Sequence, residues 1–537
     1  MSSSKIFSGE LPELMYEIIK YFRNDFTTLY SCILVNRLWC RLSIPLLWEN
    51  PFSIPTKNYN FIEIYLCNLN DDLKSKLNEY VSINNLFSSN ILFNYPSFLK
   101  HLSTQLIDSS VMEWSMNFYS ENGYFIDLNS IVNFDRLVHS SLIKIFIENE
   151  VNLYTLDIDL FFYHGEIYYD NFELILQHPN FIHNIRNLNL YITCNSFARF
   201  SYNNNDDNND MIIKNFTSIS QIINLHQNLK KILLSYDNFP LYQRLLLSKD
   251  YNCLNTLNTI ILFRIDFKGL NNLDKVFEQL NVLESIHIIY CYPLNIGFTQ
   301  QIINLTKPFK LKTLILDDGA QIDESLILLL QKYGDYLENF WYEFKFDRSI
   351  SRQQFFESIT KYCKNIKFFQ ISEVESQNIY SILNLIGNIT QNLNYLSINK
   401  SIFLLTQSND NCCSIILQNL GQILPIKLEH LYLSFSIEID DFETFLKNSQ
   451  KTFIKKLLIN TTNSRNILPF IKEYIMKRKR VKYLAIADYS RNYKGSYDNE
   501  LFSMKDEVKE FELYNIKIKK CDDLYIGNEL DFIKELD

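Results

Sequence analysis

The sequence predicts an α/β protein: a short three-helix module followed by a curved solenoid, with short parallel strands on its concave side and helices on its convex side. Three observations carry this. Residues 10–52 are an apolar helical segment at the front of a chain of 537 residues. Behind it, the six-residue pattern apolar-x-x-apolar-x-apolar recurs thirteen times at a nearly constant step. Glycine is scarce, at 11 residues, whereas doubly wound and barrel enzymes spend it on phosphate-binding and active-site turns.

The predicted division is 8–52 for the helical module, 53–150 for linker helices and degenerate first repeats, 151–520 for the solenoid, and 521–537 for a C-terminal tail or cap. In the module, Leu11-Pro12 opens the first helix, since proline suits a first turn whose N–H has no partner. Leu14, Met15, Ile18, Ile19 and Phe22 follow at helical spacing. Asn24-Asp25 breaks this helix, and Asp25 is placed to cap the next. The second apolar run is Leu29, Cys32, Ile33, Val35, Leu38, Trp39 and Leu42. Pro45 interrupts it, and Leu46-Leu47-Trp48 closes it. A unit of some forty residues rarely buries so many large apolar groups by itself, so part of its surface is expected to bury against a partner.

These residues resemble the F-box family. The resemblance rests on Leu11-Pro12, the helix with Ile18 and Phe22, the block Val35-Asn36-Arg37-Leu38-Trp39, and Leu47-Trp48. Two departures stand out: one residue fewer than in many members between Leu11-Pro12 and the Ile18 helix, and Asn36 where the family has Cys. The resemblance implies docking on the Skp-type adaptor of a cullin-based ubiquitin ligase. It places Leu11, Pro12, Ile18, Phe22, Leu29, Val35, Trp39 and Trp48 as candidate adaptor-binding residues. Some of these must instead pack the module's own core. The alternative reading makes the module a helical cap for the solenoid.

Between residues 53 and 150 the pattern is less regular. A strand is expected near Leu99, and Phe134 to Glu148 reads as a helix with Leu137, Leu142, Ile145 and Phe146 on one side.

The thirteen motifs are Leu153/Leu156/Ile158, Ile185/Leu188/Leu190, Leu229/Ile232/Leu234, Leu257/Ile260/Leu262, Leu283/Ile286/Ile288, Leu311/Leu314/Leu316 and Leu337/Phe340/Tyr342, then Ile366/Phe369/Ile371, Leu393/Leu396/Ile398, Leu428/Leu431/Leu433, Ile454/Leu457/Ile459, Val481/Leu484/Ile486 and Val508/Phe511/Leu513. Nine of the twelve steps lie between 26 and 29 residues, which selects a repeat array over unrelated α/β units. The 44-residue step holds the polar insertion Ser201 to Asp210, read as a disordered loop, and the 35-residue step holds Gln407 to Cys413. Leu99 and Leu102 lie twice 27 residues before the first motif, where a degenerate repeat fits. Positions four and six share one face of a short strand, and the intervening stretches, such as Ser325 to Tyr333 and Phe355 to Tyr362, read as helices. A single strand–helix unit cannot bury its own apolar face, and stacking makes one core.

This array resembles the leucine-rich-repeat family, in its helix-containing length class near 27 residues. Members usually carry Asn or Cys three residues after the last motif Leu. Here Cys291 complies, with Thr193, Asp237, Ser436 and Thr462 as substitutes elsewhere. In such an array the fifth and seventh motif residues line the concave sheet. Phe263, Ile289, Ile315 and Trp341 would then be neighbours on successive rungs, with Asp317 and Glu343 beside them. If exposed, they make an apolar, acid-edged surface for a protein substrate; if a helix, loop or the tail covers them, they do not.

Together the two resemblances imply a non-catalytic substrate receptor: adaptor, and through it a cullin, at one end, and an unknown protein substrate on the repeats. The alternative is a leucine-rich-repeat interaction scaffold with no ligase role. An enzyme is not expected, nor any cofactor or metal. There is no phosphate loop, no GxGxxG and no GxSxG, and the closest histidines, His178 and His183, lack a one-face helical spacing. A net charge of −9 argues against nucleic acid and anionic lipid as partners. The longest apolar run, Leu326 to Leu330, is far short of a membrane span, and MSSSKIFSGE has no apolar core of signal-peptide length. The ten scattered cysteines fit a reducing compartment, cytoplasm or nucleus. Cys412-Cys413 is placed in a polar loop. Lys477 to Arg480 has the form of a nuclear-localisation cluster, but reads more simply as a solvated helix end.

Overall fold

The computed structural model describes residues 11–54, 59–80, 91–122, 128–160, 165–192, 217–235, 243, 247, 253–307, 309–317, 324–343, 352–400, 411–461, 464–488, 500–526, 532–533 and 536. Fourteen strands among them lie parallel, in the order of the chain. The chain divides into two compact units, Met1–Ile260 with Gln279–Leu283, and Ile261–Glu278 with Glu284–Asp537.

The first unit opens with three helices, α1 (Pro12–Lys20), α2 (Phe26–Ile33) and α3 (Arg37–Leu47). Then come α4 (Phe61–Leu66), α5 (Asp71–Tyr80), β1 (His101–Ser103), α6 (Thr104–Asn122), α7 (Leu128–Glu148), β2 (Thr155–Leu160), α8 (Gly165–Gln177), β3 (Asn187–Ile192) and β4 (Lys231–Ser235). The expected strand near Leu99 is β1, and it pairs with β2 in register, Leu102 opposite Leu156. The expected helix from Phe134 is the later part of α7; of its expected apolar side, Leu142, Ile145 and Phe146 are buried and Leu137 is half-buried. Rings pack these helices together: Tyr65 of α4 lies 5.1 Å from Phe146 of α7 and 5.2 Å from Trp48 at the end of α3, edge on in both cases.

Strand β5 (Thr259–Phe263) carries the chain on. The second unit then alternates α9 (Leu273–Gln279), β6 (Ser285–Ile289), α10 (Ile296–Ile303), β7 (Lys310–Asp317), α11 (Glu324–Tyr333), β8 (Asn339–Glu343), α12 (Arg352–Tyr362) and β9 (Phe368–Ser372). It continues with α13 (Ile379–Ile389), β10 (Tyr395–Asn399), α14 (Cys412–Ile423), β11 (Lys427–Ser434), α15 (Ile439–Asn448), β12 (Phe453–Thr461), α16 (Ser464–Ile471), β13 (Val481–Asp488), α17 (Lys505–Glu512) and β14 (Lys517–Ile518). Successive strands pair motif on motif: Leu314 sits opposite Phe340, Phe369 opposite Leu396, Leu431 opposite Leu457.

The strand exits repeat one device. Arg264, Tyr290 and Glu373 follow β5, β6 and β9 in left-handed conformation, with φ of 53°, 52° and 56°. Tyr290 N–H donates to Ile315 O at 2.8 Å and Glu373 N–H to Asn399 O at 2.7 Å, so the turn is bonded to the next rung. Cys291 does what its position implies. Its thiol donates to Leu262 O at 3.3 Å and its sulfur accepts from Ile265 N–H at 3.4 Å, while burial pushes the thiol up to about 12. After β11 the same task falls to Thr461, whose hydroxyl accepts from Ile437 N–H at 3.2 Å. Thr193, Asp237, Thr462 and the insertion Ser201 to Asp210 lie outside the described residues.

Three expectations are corrected. The thirteenth motif, Val508/Phe511/Leu513, is helical: it lies in and just after α17, where Phe511 is buried and Leu513 is 81% exposed. Charged residues surround it, and an i, i+3 apolar pair serves a helix as well as a strand. The last rung is instead β14. Second, α3 runs through Pro45 to Leu47 instead of ending there. One lost backbone bond is tolerated because Leu46 and Trp48 beyond it are buried. Third, Cys412 and Cys413 are not in a loop; they are the buried first residues of α14.

Candidate docking face of the N-terminal module

The module is built from caps inward. Asp25 caps α2, its Oδ1 accepting from Thr28 N–H at 3.0 Å. Asn36 caps α3 by accepting from Trp39 N–H at 3.0 Å. Met15, Ile19, Leu29 and Leu46 form a small core, and Tyr16, Phe22, Trp39, Leu42 and Leu47 pack around it half-buried.

That core uses one face of α1. A second apolar stripe, Leu14, Ile18 and Tyr21, is left 42%, 38% and 89% exposed. Positions i, i+4 and i+7 share a helix face, so these three form a continuous strip. At the end of α2, Tyr30, Leu34 and Val35 are 60%, 72% and 57% exposed. The candidate residues therefore separate. Ile18 and Val35 belong to the exposed strips, and Leu11 and Pro12 are half-buried at the start of α1. Phe22 and Trp39 pack on the core, while Leu29 and Trp48 are buried. Sequence reasoning missed Leu14, Tyr21, Tyr30 and Leu34. The signal was present in α1 as a second apolar periodicity one residue out of step with the first.

The far end of the module is fixed to the sheet. Trp48 lies 4.3 Å from the Tyr95 ring. Arg23 holds Glu49 through two contacts, at 2.7 and 3.1 Å. Burial pushes the Glu49 carboxyl up, and Arg23 counters it. The Glu49 carbonyl accepts from both Lys100 and His101 N–H, at 2.9 and 3.1 Å. Lys100 O then accepts from Tyr154 and Thr155 N–H, and Tyr154 O from Arg186 and Asn187 N–H. Glu49 thus occupies the place of a preceding rung.

The repeat face offers a different picture. Phe263, Ile289, Ile315 and Trp341 are all buried, between 0% and 5% exposed, so they do not form an open apolar patch. Glu343 is already engaged: it accepts from the Tyr290 hydroxyl at 3.1 Å, and the Tyr290 ring lies 6.0 Å from Trp341. Asp317 is half-buried beside it. Further along, the C-terminal segment covers the sheet. Leu524 packs on Tyr432, Leu458 and Ala485, the Tyr525 ring sits 4.7 Å from Tyr432, and Phe532 sits 4.8 Å from Phe368. The third motif position also faces this side. Phe368, Tyr395 and His430 stack along successive rungs at 4.1 and 4.4 Å. Burial first, and then Lys456, pulls His430 down to about 3.

Among the described residues, no group of three or more His, Cys, Asp or Glu could hold a metal ion, and no helix is long and apolar enough to cross a membrane. No protein-family model matches the chain, and no curated protein is significantly similar to it.

Proposed function

We propose that the chain is a substrate-recruiting subunit of a cullin-based ubiquitin ligase, with an F-box-like module and leucine-rich repeats. The module docks on the Skp-type adaptor through Leu14, Ile18 and Tyr21 of α1 and Tyr30, Leu34 and Val35 at the end of α2. The repeats hold a protein substrate, and the chain acts by proximity without bond chemistry of its own. The supporting observation is the pair of exposed apolar strips on a module whose core is already filled. Each large side chain that becomes fully buried contributes about 1.5–3 kcal/mol, so a few anchors suffice for a stable complex.

Co-purification with the adaptor tests this, wild type against Ile18→Asp/Leu34→Asp. Retention by wild type and loss in the variant are expected. Failure of folded wild type to bind removes the reading.

A second reading, an interaction scaffold without ligase role, is favoured by the join at Glu49, which is what a solenoid cap requires. Adaptor binding with no cullin in the captured complex would select it.

A further inference from the structure

We propose that the leading edge of the sheet in the first unit is a binding cleft for a phosphate monoester, recognised by Lys100, Arg186 and Lys230. This stands apart from the docking reading, because it uses other residues and a different ligand chemistry.

The cleft measures about 410 Å³ and is lined by Lys100, Arg186 and Lys230 together with Asn152, Asn184, Asn228, Thr256 and the 153–154 pair. Among the described residues no acidic side chain lines it, in a chain whose net charge is −9. Its volume suits a small ligand group. The three cations occupy one repeat position, the second of the motif, immediately before a strand. Arg186 and Lys230 precede the paired strands β3 and β4, so the backbone positions that carry these two like charges are neighbours one strand spacing, about 4.8 Å, apart. Like charges directly opposite each other across a strand pair are destabilising, and a bound anion removes that cost.

The same position in the second unit provides an internal comparison. The backbone pattern is the same there: Glu338 O accepts from Lys367 and Phe368 N–H, as Arg186 O does from Lys230 and Lys231 N–H. The charges, however, alternate and pair. Glu338 meets Lys312 at 3.8 Å and Lys367 at 3.0 Å, and Glu429 meets Lys455 at 2.6 Å. The repeat therefore has a way of neutralising this column, and among the described residues of the first unit no such pair is formed at Lys100, Arg186 or Lys230. Glu49, the carboxylate that feels Lys100, is held by Arg23.

The side chains are also partly positioned. The Arg186 guanidinium lies 5.5 Å from the centre of the Tyr154 ring, and Lys100 Nζ donates to Asn152 O at 3.3 Å. Backbone N–H groups at this edge are consumed by the rung-to-rung bonds. Recognition falls to side chains: a planar guanidinium fork, two ammonium groups, and the neutral amides of Asn184 and Asn228. That set matches a dianionic phosphate with several acceptor oxygens.

The test is a titration of the full chain with three probes: inorganic phosphate, glycerol 3-phosphate, and a fluorescent phosphoserine peptide beside its unphosphorylated form. Wild type is compared with Arg186→Gln/Lys230→Gln and with the control Lys312→Gln/Lys367→Gln. The expected result is binding of at least one ester, weakened by rising salt, and about tenfold or more weaker in the first variant because each lost charge-assisted bond is worth that much. The control should bind as wild type does. Preference for the peptide assigns a phosphorylated protein as the source, and preference for glycerol 3-phosphate a small metabolite. Circular dichroism checks the fold. Should the double variant be unfolded, Lys100→Gln carries the same readout. No ester binding, affinity within about twofold in a folded variant, or an equal loss in the control overturns the proposal.

Discussion

Arg480 is the strongest test of how the repeats hold together. It ends the Lys477 to Arg480 cluster, yet it is 7% exposed, unlike a solvated helix end. Its Nε donates to Thr452 O at 3.2 Å, its Nη1 to Leu446 O and Tyr474 O at 3.4 Å each, and its Nη2 to the carbonyl and hydroxyl of Ser449. Leu446 is in the last turn of α15, and Ser449 is its C-cap. The guanidinium thus satisfies carbonyls that a helix end leaves unpaired, and its charge complements the helix dipole. Burial first, and then Arg478, pulls it down to about 10, so it stays charged at neutral pH. Bonds to a charged group are worth roughly 1.5–3 kcal/mol net, but two of these are long and share one nitrogen, so a simple sum overstates the loss. Removing one partner of a buried charged network costs about 3–5 kcal/mol, and Arg480→Met should fall there. Arg480→Lys keeps the charge and loses the fork, and should cost about 2 kcal/mol. Urea denaturation followed by circular dichroism gives both values. Hydrogen exchange should show lost protection across residues 442–452. A surface cluster predicts changes within about 0.5 kcal/mol. A loss below about 1 kcal/mol in Arg480→Met, with exchange unchanged over those residues, refutes the capping role.

Other changes follow from local geometry. Gly421→Ala should cost about 1–3 kcal/mol in urea denaturation, because a Cβ there would lie 2.6 Å from Phe445 O and 2.9 Å from Asn448 Cβ. Leu29→Ala should cost about 2–5 kcal/mol by the same assay, whereas Ile18→Asp on the exposed strip should stay within about 1 kcal/mol. Asp159 is pushed up to about 7 by burial first and Asp157 second. With an unfolded value near 3.9, the folded state holds its proton longer, so this group's contribution weakens stability as pH rises from about 4 to 7, by at most roughly 4 kcal/mol. His139 and His226 are pulled down to about 4, mainly by burial, and they oppose this, since the folded state loses stability as pH falls from about 6.5 towards 4. Denaturation midpoints of wild type and Asp159→Asn should therefore diverge in favour of the variant as pH rises from 4 to 7, and a constant difference would contradict it.

The repeat architecture was legible because its signal is periodic. Twelve of the thirteen motifs fall on β2 to β13, where positions four and six are buried in register with their neighbours. The exception, Val508/Phe511/Leu513, shows the limit: six residues with apolar groups at i, i+3 and i+5 do not separate strand from helix without the polar context around them. The burial of Phe263, Ile289, Ile315 and Trp341 was not legible either. A strand pattern says that two side chains share a face, not what lies over that face. Leu524, Tyr525 and Phe532 reach Tyr432 and Phe368 from up to about a hundred and sixty positions away in the sequence, a pairing that no local period encodes. Arg480 was misread for a similar reason. Four of its five bonds go to Leu446, Ser449 and Thr452, in α15 and its exit, so its burial follows from stacking and not from the four-residue cluster.

The module's two ends carry different burdens, and this changes how its role must be tested. Trp48 and the Glu49 carbonyl close the first rung of the sheet, so removing residues 1–52 would strip two backbone bonds from Lys100 and His101 and uncover the rings of Tyr65 and Tyr95. That deletion would destabilise the array whether or not the module binds a partner, because a terminal repeat without its cap exposes the core. The exposed strips are separable from this. Leu14, Ile18 and Tyr21 lie about 100° round α1 from Met15 and Ile19, on a separate face, and Leu34 and Val35 lie beyond the core residues Leu29 and Cys32. A cap needs only one apolar face, the one it lays on the array. Six large apolar side chains on the outside add nothing to capping and leave apolar area in water, at roughly 25 cal/mol per Å² that burial would recover. Their presence on a helix pair already packed and capped is the feature that a cap alone does not account for, and point substitutions there separate docking from stability where truncation does not.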